Sequence, residues 1–480
     1  MRIVQTFWTA GHNPLEYGFG WPHAEYNLMS WALSCLSLRE HYDEVVLYTD
    51  TPGKRVLIDE LHLPYTDVQV VFDDFPCLPH HWALAKIKTY SLQTKPFLHV
   101  DGDIYVPRPL PEEVLAAPLI AQNREIGTVY YRRMMDRILS YPEIKLPDYI
   151  EQGLREESIA SYNMGFFGGS DLSFIHDFCK EVFRFMEENR MNDSACPHSR
   201  VDCNVFFEQV IFAMMVDREH DNVASVLGRD MRDNGYTRRE FCDLAHYDAH
   251  PFHHLLGGHK RKMELTDLLE HFMLWSHADY SKHIIQLTST RGNEISQSNI
   301  RLSWNVCIGL QKEKENSILR QLHKWYDLSI EEIISWEQMV AKCAMRLIGK
   351  SVDWDEIELT ANKSIILCEV PENLSYSELK YMRNKLHCRE FYPLHTIVIS
   401  PKLPYMKVRE IPIGDLDKKI LLKIGNGNIT TKELFASLFL DLHSFNELEM
   451  RGAYRHLIIQ LRYLIKRGLI IYNDRDINTL

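Results

Sequence analysis

The sequence predicts an α/β protein. A mostly parallel sheet flanked by helices spans residues 1–288, a helical and small α/β region spans 289–411, and a winged-helix-like module spans 412–480. Three observations carry this. Short apolar runs alternate with helix-period segments from the first residues onward. One of these runs, near residue 100, ends in two carboxylates one residue apart. Beyond residue 288 the alternation stops and longer polar helical patterns take over. With 480 residues, 45% hydrophobic and 25% charged, the chain is long enough for about two or three domains, each with a core.

Residues 2–8 read as the first strand. Over 25–40, Leu28, Trp31, Ala32, Cys35, Leu36 and Leu38 recur near helical period. Val45, Val46, Leu47 and Tyr48 make a second strand ending at Asp50, and residues 69–72 a third. Residues 82–92 read as a helix with Ala83, Ile87, Tyr90 and Ser91 inward. Phe97 to Val100 is a buried strand, and Gly102 turns the chain between Asp101 and Asp103. Such alternation implies crossover connections and a sheet covered on both faces. Ligands then bind beyond the carboxyl ends of the strands, where Trp8, Thr9, Asp50 and the Asp101 turn would meet.

Residues 161–170 (SYNMGFFGGS) read as a strand, with Gly168 and Gly169 in a turn that admits no side chain. Amphipathic helices follow at 175–189 and at 204–216, the latter carrying Glu208 and Gln209. The Ser/Thr/Gly/Asn content of 288–293 marks a domain boundary. Residues 290–350 read as helical, anchored by Trp304, Leu310, Ile318, Leu322, Trp325, Ile330, Ile333 and Trp336. Two short strands around one helix fill 363–411. The last segment has helices from 418, from 430 and over 451–467; Gly468 then ends the helix and a strand follows. That order resembles a winged-helix module.

Two aspartates at a strand end can share one divalent cation, which completes its shell with phosphate oxygens. Far downstream, His254-Leu255-Leu256-Gly257-Gly258-His259-Lys260 carries the pattern His-x-x-Gly-x-x-Lys. The two segments together resemble the GT-A glycosyltransferases, especially the glycogenin-like enzymes and the sugar transferases of lipopolysaccharide synthesis. The resemblance implies that Asp101, Asp103 and His254 hold Mn²⁺ or Mg²⁺. It implies that Gly257 lets the backbone approach a donor diphosphate and that Lys260 contacts it. Asn163 and Gly165 fall on a strand that lines the donor-sugar pocket in such enzymes. Lys86 falls where they keep a basic residue beside the diphosphate, and Glu208-Gln209 where they place an acidic-Gln pair near the acceptor. Trp8, Thr9 and Asp50 would contact base and ribose. The family often continues Lys-Pro-Trp where this chain has Arg261-Lys262.

The activity so implied is a metal-dependent glycosyl transfer from a nucleotide-diphosphate sugar, with a UDP-linked sugar as the expected donor. The acceptor would be a peptide, a glycan or a small molecule. Asp101, Asp103, Glu208 and Lys260 would carry the chemistry. Retention of configuration is favoured; an inverting enzyme would use Glu208 or Asp171 as base. His254 must be neutral to bind metal, so activity should fall in acid. The alternatives are a nucleotidyltransferase, or a catalytically silent binding protein on the same fold. A nucleotidyltransferase calls for a Gly- and Lys-rich triphosphate loop, and the segments at 11–14 and 18–20 contain no Lys or Arg.

A formal charge of −12 argues against a general nucleic-acid binder, and Arg451, Arg455, Arg462, Lys466 and Arg467 read as a solvated face. No apolar run reaches about 18 residues, so no membrane span is expected. The start of the chain has no signal-peptide pattern, and ten cysteines without framework spacing fit a reduced, cytoplasmic protein. Cys196, His198, Asp202 and Cys203 lack the tight paired spacing of a zinc site. The C-terminal region is the expected place for acceptor presentation or for homodimer formation.

Overall fold

A computed structural model describes residues 1–127, 129–153, 159–219, 222–232, 235–289, 330–349, 352–355, 357–362, 365–369, 396–402, 407–425, 427–439 and 446–473. The chain forms two compact units, Met1–Thr266 and Asp267–Leu480. The division falls ahead of the boundary expected near residue 288.

The first unit is built on a mixed, largely parallel sheet. Strands β1 (Arg2–Phe7), β2 (Val45–Thr49), β3 (Asp67–Val70) and β4 (Phe97–Val100) lie in the order β3-β2-β1-β4, all parallel. All residues of β2 and β4 are buried, because the crossover helices α1 (Ala24–His41) and α2 (Ala83–Ser91) cover the sheet. The third strand starts earlier than its apolar residues suggest; Phe72 leaves the ladder and enters the core. After the two-residue β5 (Ile104–Tyr105) come β6 (Ile120–Ile126) and β7 (Ala160–Gly169). β7 runs antiparallel between β4 and β6. The short strands β8 (Ala224–Ser225) and β9 (Met231–Arg232) pair parallel with β6. β6 is hidden in the sequence because Gln122, Asn123, Arg124 and Glu125 interrupt any apolar period.

Gly168 and Gly169 do not form a turn. They continue β7, and a Cβ there would lie 2.1 Å from the Phe97 carbonyl oxygen or 2.0 Å from that of Pro118. Close backbone approach, not chain reversal, excludes side chains. β7 feeds helix α3 (Leu172–Glu188), whose Phe178, Val182 and Phe185 join Tyr90, Phe97, Phe167, Phe206 and Phe212 in one core. The helix expected over 204–216 opens with a π-helical turn, Phe206–Val210, before continuing as Ile211–Glu219.

In the second unit, strand Glu358–Ala361 lies between Asn428–Thr430 and Ile470–Asn473, both antiparallel to it. A second antiparallel sheet joins Ile366–Glu369, Thr396–Lys402 and Lys407–Ile413. Helices Asp415–Ile424, Thr431–Leu438 and Glu447–Lys466 follow. Thr430 with Glu433, and Asn446 with Glu449, form capping boxes that start the last two. Gly468, at φ +69°, ends the final helix, with the Leu469 amide donating to the Leu464 carbonyl at 3.0 Å. One core includes Leu359, Val398, Ile411, Ile420, Leu434, Leu461 and Ile470, so it draws on both sides of residue 412. Trp336 packs against this core. Trp304, Leu310, Ile318, Leu322, Trp325, the side chains of Ile330 and Ile333, and the helix read within 363–411 lie outside the described residues. Among the described residues no helix is long and apolar enough to cross a membrane.

Candidate functional site

The two carboxylates sit where β4 meets its neighbours. The Asp101 amide donates to the Gly165 carbonyl of β7 at 2.9 Å, and the Ile104 amide closes the turn onto the Asp101 carbonyl at 3.1 Å. Trp31 of α1 packs under that turn so tightly that a Cβ at Gly102 would lie 2.5 Å from its ring. The chain then enters β5 at once, and β5 pairs antiparallel with β10 (His253–His254). His254 stands opposite Ile104, and the Leu255 amide donates to the Asp103 carbonyl at 3.1 Å. This two-residue ladder brings two distant segments together. Ligand atoms of Asp101, Asp103 and His254 all lie within 4.8 Å of one another.

Two lysines serve the two carboxylates. Lys260 follows Gly257, whose φ of +53° explains a glycine at the start of the tight turn Gly257–Arg261. Its Nζ lies 2.7 Å from Asp103 Oδ2 and 5.9 Å over the Trp21 ring. Burial pushes the Asp103 carboxyl up, but Lys260 and His254 outweigh this and hold it well below the usual carboxylate range. Lys86 is buried. Its Nζ reaches Asp101 Oδ1 at 2.8 Å, Glu208 Oε1 at 2.5 Å and the Met164 carbonyl at 3.2 Å. Burial opposes the charge of Lys86, and its two carboxylate partners more than restore it. An ammonium with three protein acceptors reaches a donor molecule only by releasing one of them. Burial pushes Glu208, on the π-helical turn, up to about 7; Lys86 counteracts this and Asp101 adds to it.

The donor set fits a hard divalent cation. Asp101 and Asp103 each give one oxygen to a lysine. His254 Nε2 stands 3.6 Å from Asp103 Oδ1, and Asp101 brings a carboxylate oxygen within 4.8 Å of both residues' ligand atoms. Nδ1 of His254 meets the amide oxygen of Gln122 at 2.7 Å. An amide oxygen only accepts, so Nδ1 carries a proton, and Nε2 is the ring nitrogen left facing the carboxylates. A ring nitrogen facing carboxylate oxygens calls for positive charge between them, as a proton or as a metal ion. Mixed carboxylate and imidazole ligation suits Mn²⁺, and Mg²⁺ accepts the same carboxylates.

Asp50 and Thr9 reach the same sheet edge, at the ends of β2 and β1, but are bound to each other. Asp50 Oδ2 accepts from the Thr9 amide at 2.8 Å and hydroxyl at 2.6 Å, and Oδ1 accepts from the Gly53 amide at 3.0 Å. Trp8 is half-buried, edge-on to Phe75. Asn163 Oδ1 accepts from the Gly165 amide at 3.0 Å, and its Nδ2 points to Glu125 and Tyr236. A Cβ on Gly165 would lie 2.6 Å from the His254 ring. Asp171 does not join the site: it caps α3, accepting from the Phe174 amide, beyond the end of β7 that pairs with the start of β4. That places it at the opposite edge of the sheet, so the role of base is withdrawn. Sequence reasoning missed Gln122, Trp31 and Trp21. Gln122 had no motif to mark it; Trp31 read only as an apolar residue of the helix over 25–40, and Trp21 had Gly20 before it as its one signal.

The chain belongs to DUF6734, a family of unknown function, whose profile matches residues 1–287 and thus covers the whole site. No curated protein matches the sequence.

Proposed function

We propose that the first unit is a GT-A-type, metal-dependent glycosyltransferase acting on a nucleotide-diphosphate sugar. The observation that carries this reading is the convergence of Asp101, Asp103 and His254 within 4.8 Å beyond the carboxyl end of β4. The order β3-β2-β1-β4, with β7 antiparallel beside β4, supports the same reading. Asp101, Asp103 and His254 would hold Mn²⁺ or Mg²⁺, which when bound neutralises diphosphate charge. Lys260 supplies a cation next to that position, set in place before charge develops. Glu208, buried beside Lys86 and Asp101, would be the acidic group that the resemblance puts on the acceptor side. The donor expected from the resemblance is UDP-linked, and retention remains the favoured outcome.

The test is a panel of nucleotide sugars and nucleoside triphosphates, each with Mn²⁺ or EDTA, read as released nucleotide or pyrophosphate. Metal-dependent release of UDP supports the proposal. Pyrophosphate release selects a nucleotidyltransferase. Mn²⁺ binding without turnover selects a silent binding protein. In an active enzyme, Asp103→Asn should slow turnover about a hundredfold or more, a loss on the order of 3 kcal/mol.

The helix, strand, helix, helix, strand order over Asp415–Asn473 supports a winged-helix-like module that presents the acceptor. Deleting residues 412–480 alone would strip Leu434, Leu461 and Ile470 from a core shared with Leu359 and Val398. The informative truncation therefore ends the chain at residue 287. It should retain donor hydrolysis and lose transfer to acceptor.

A further inference from the structure

Gln122 lies at an irregularity in the sheet. The β6–β7 register passes from Ala121↔Phe167 to Asn123↔Asn163, so residues 164–166 of β7 stand opposite Gln122 alone. Such a bulge bends one strand and re-aims the side chains around it. Here it sets Gly165 against the tip of Gln122, where a Cβ would come 2.7 Å from Oε1. The side chain is fully buried. A buried amide left without partners would cost roughly 1–3 kcal/mol, yet Gln122 satisfies both ends. Oε1 accepts from His254 Nδ1 at 2.7 Å, and Nε2 donates to Asn123 Oδ1 at 3.1 Å.

The second bond fixes which way the amide points. Asn123 is itself held: its Nδ2 donates to the Tyr236 hydroxyl at 2.9 Å and to the Arg124 carbonyl at 3.2 Å. Tyr236 donates to Glu125 Oε1, and Tyr131 donates to Glu125 Oε2 while its hydroxyl oxygen lies 2.9 Å from the side-chain amide of Gln209. The chain of bonds runs from His254 through Gln122, Asn123, Tyr236, Glu125 and Tyr131 to Gln209. Gln209 is the neighbour of Glu208, whose ion pair with Lys86 leads to Asp101. Flipping the Gln122 amide would favour the other His254 tautomer, but it would set the Gln122 carbonyl against Asn123 Oδ1 and cost that bond.

We infer that Gln122 is a positioning residue for the cation site: it keeps His254 in the Nδ1–H tautomer and turns Nε2 toward Asp101 and Asp103. The inference rests on the reading of these three residues as metal ligands. Outer partners of metal-bound histidines orient the ring and raise its basicity, and their loss typically weakens metal binding about 10- to 100-fold.

The experiment titrates Mn²⁺ into the full chain, followed by the electron paramagnetic resonance of free ion and by ¹⁴N modulation of the bound ion. Wild type should bind with a histidine nitrogen signal. Gln122→Leu, similar in size but with no acceptor, should weaken binding about 10- to 100-fold and diminish that signal. Gln122→Glu, which still accepts from Nδ1–H, should keep the nitrogen signal and hold affinity well above that of Gln122→Leu. A merely structural role would harm both variants alike and leave the nitrogen signal of any bound ion unchanged. A Gln122→Leu protein that binds Mn²⁺ as wild type does, with the same signal, overturns the inference and spares the metal site. Wild type that binds no Mn²⁺ overturns both. Should Gln122→Leu not fold, ¹⁵N spectra of metal-free wild type at pH 8 decide: a protonated Nδ1 supports the inference, and a bare Nδ1 ends it.

Discussion

A methyl group at position 165 would press on two buried, hydrogen-bonded side chains at once, 2.6 Å from His254 Cε1 and 2.7 Å from Gln122 Oε1. Neither side chain can swing aside without losing the bond that joins them. Gly165→Ala should therefore turn the His254 ring and weaken Mn²⁺ binding about tenfold or more, while leaving the far-ultraviolet circular dichroism unchanged; calorimetric titration checks this. Gly257 differs, because open space surrounds it and only its φ of +53° restricts substitution. Gly257→Ala should cost roughly 1 kcal/mol in the local turn, seen as a modest rise in the Mn²⁺ or donor dissociation constant. At this scale the sequence was informative where residue type and spacing coincide, as at Asp101, Asp103, His254 and Lys260. It said nothing of Gln122, since a lone Gln in a polar stretch looks like any solvated strand residue. It misjudged Asp171, because a cap and a catalytic acid carry the same side chain and only topology separates them.

Among the elements, β7 binds the halves of the sheet together and has the least freedom to change. Gly168 lies against the backbone of β4, where an added Cβ would sit 2.1 Å from the Phe97 carbonyl oxygen. Backbone in a paired strand cannot rotate away as a side chain can. Gly168→Ala should thus force β4 and β7 apart at a cost of about 3 kcal/mol, measured as a lower denaturant midpoint. The parallel strands were legible because burial on both faces writes them as unbroken apolar runs, as in Val45–Thr49. β6 was not, because its buried face is polar: Gln122, Asn123 and Glu125 serve the hydrogen-bond network rather than the core. β5 and β10 are two residues each, too short for any period to show, yet their pairing is what joins His254 to Asp103.

Across the whole molecule, two linked equilibria can be read from stability alone. The first is protonation. Burial pushes His253, next to His254, down to about 4; its bond to the Tyr247 carbonyl opposes this and His250 adds to it. The unfolded chain should bind that proton near pH 6.5. The native state therefore binds fewer protons between those values, and stability present above about pH 6.5 is lost as pH falls toward 4, by roughly 3 kcal/mol for this group. His253→Gln should lower the melting temperature at pH 7 yet flatten its decline in acid. The second equilibrium is the proposed metal binding. A cation held by Asp101, Asp103 and His254 binds only the folded first unit, since the unfolded chain separates the three. At a free Mn²⁺ concentration 100 times the dissociation constant, the gain is about 2.7 kcal/mol. For a unit of this size each kcal/mol moves Tm by roughly 2–4 °C. Mn²⁺ should thus raise the first unit's transition by about 5–10 °C, and EDTA should reverse it. The second unit has its own apolar core, drawn from Val340 to Tyr472, and none of the three ligands. Its calorimetric component should not move. His254→Ala should abolish the shift in the first component, and a shift that survives this substitution would place the cation elsewhere.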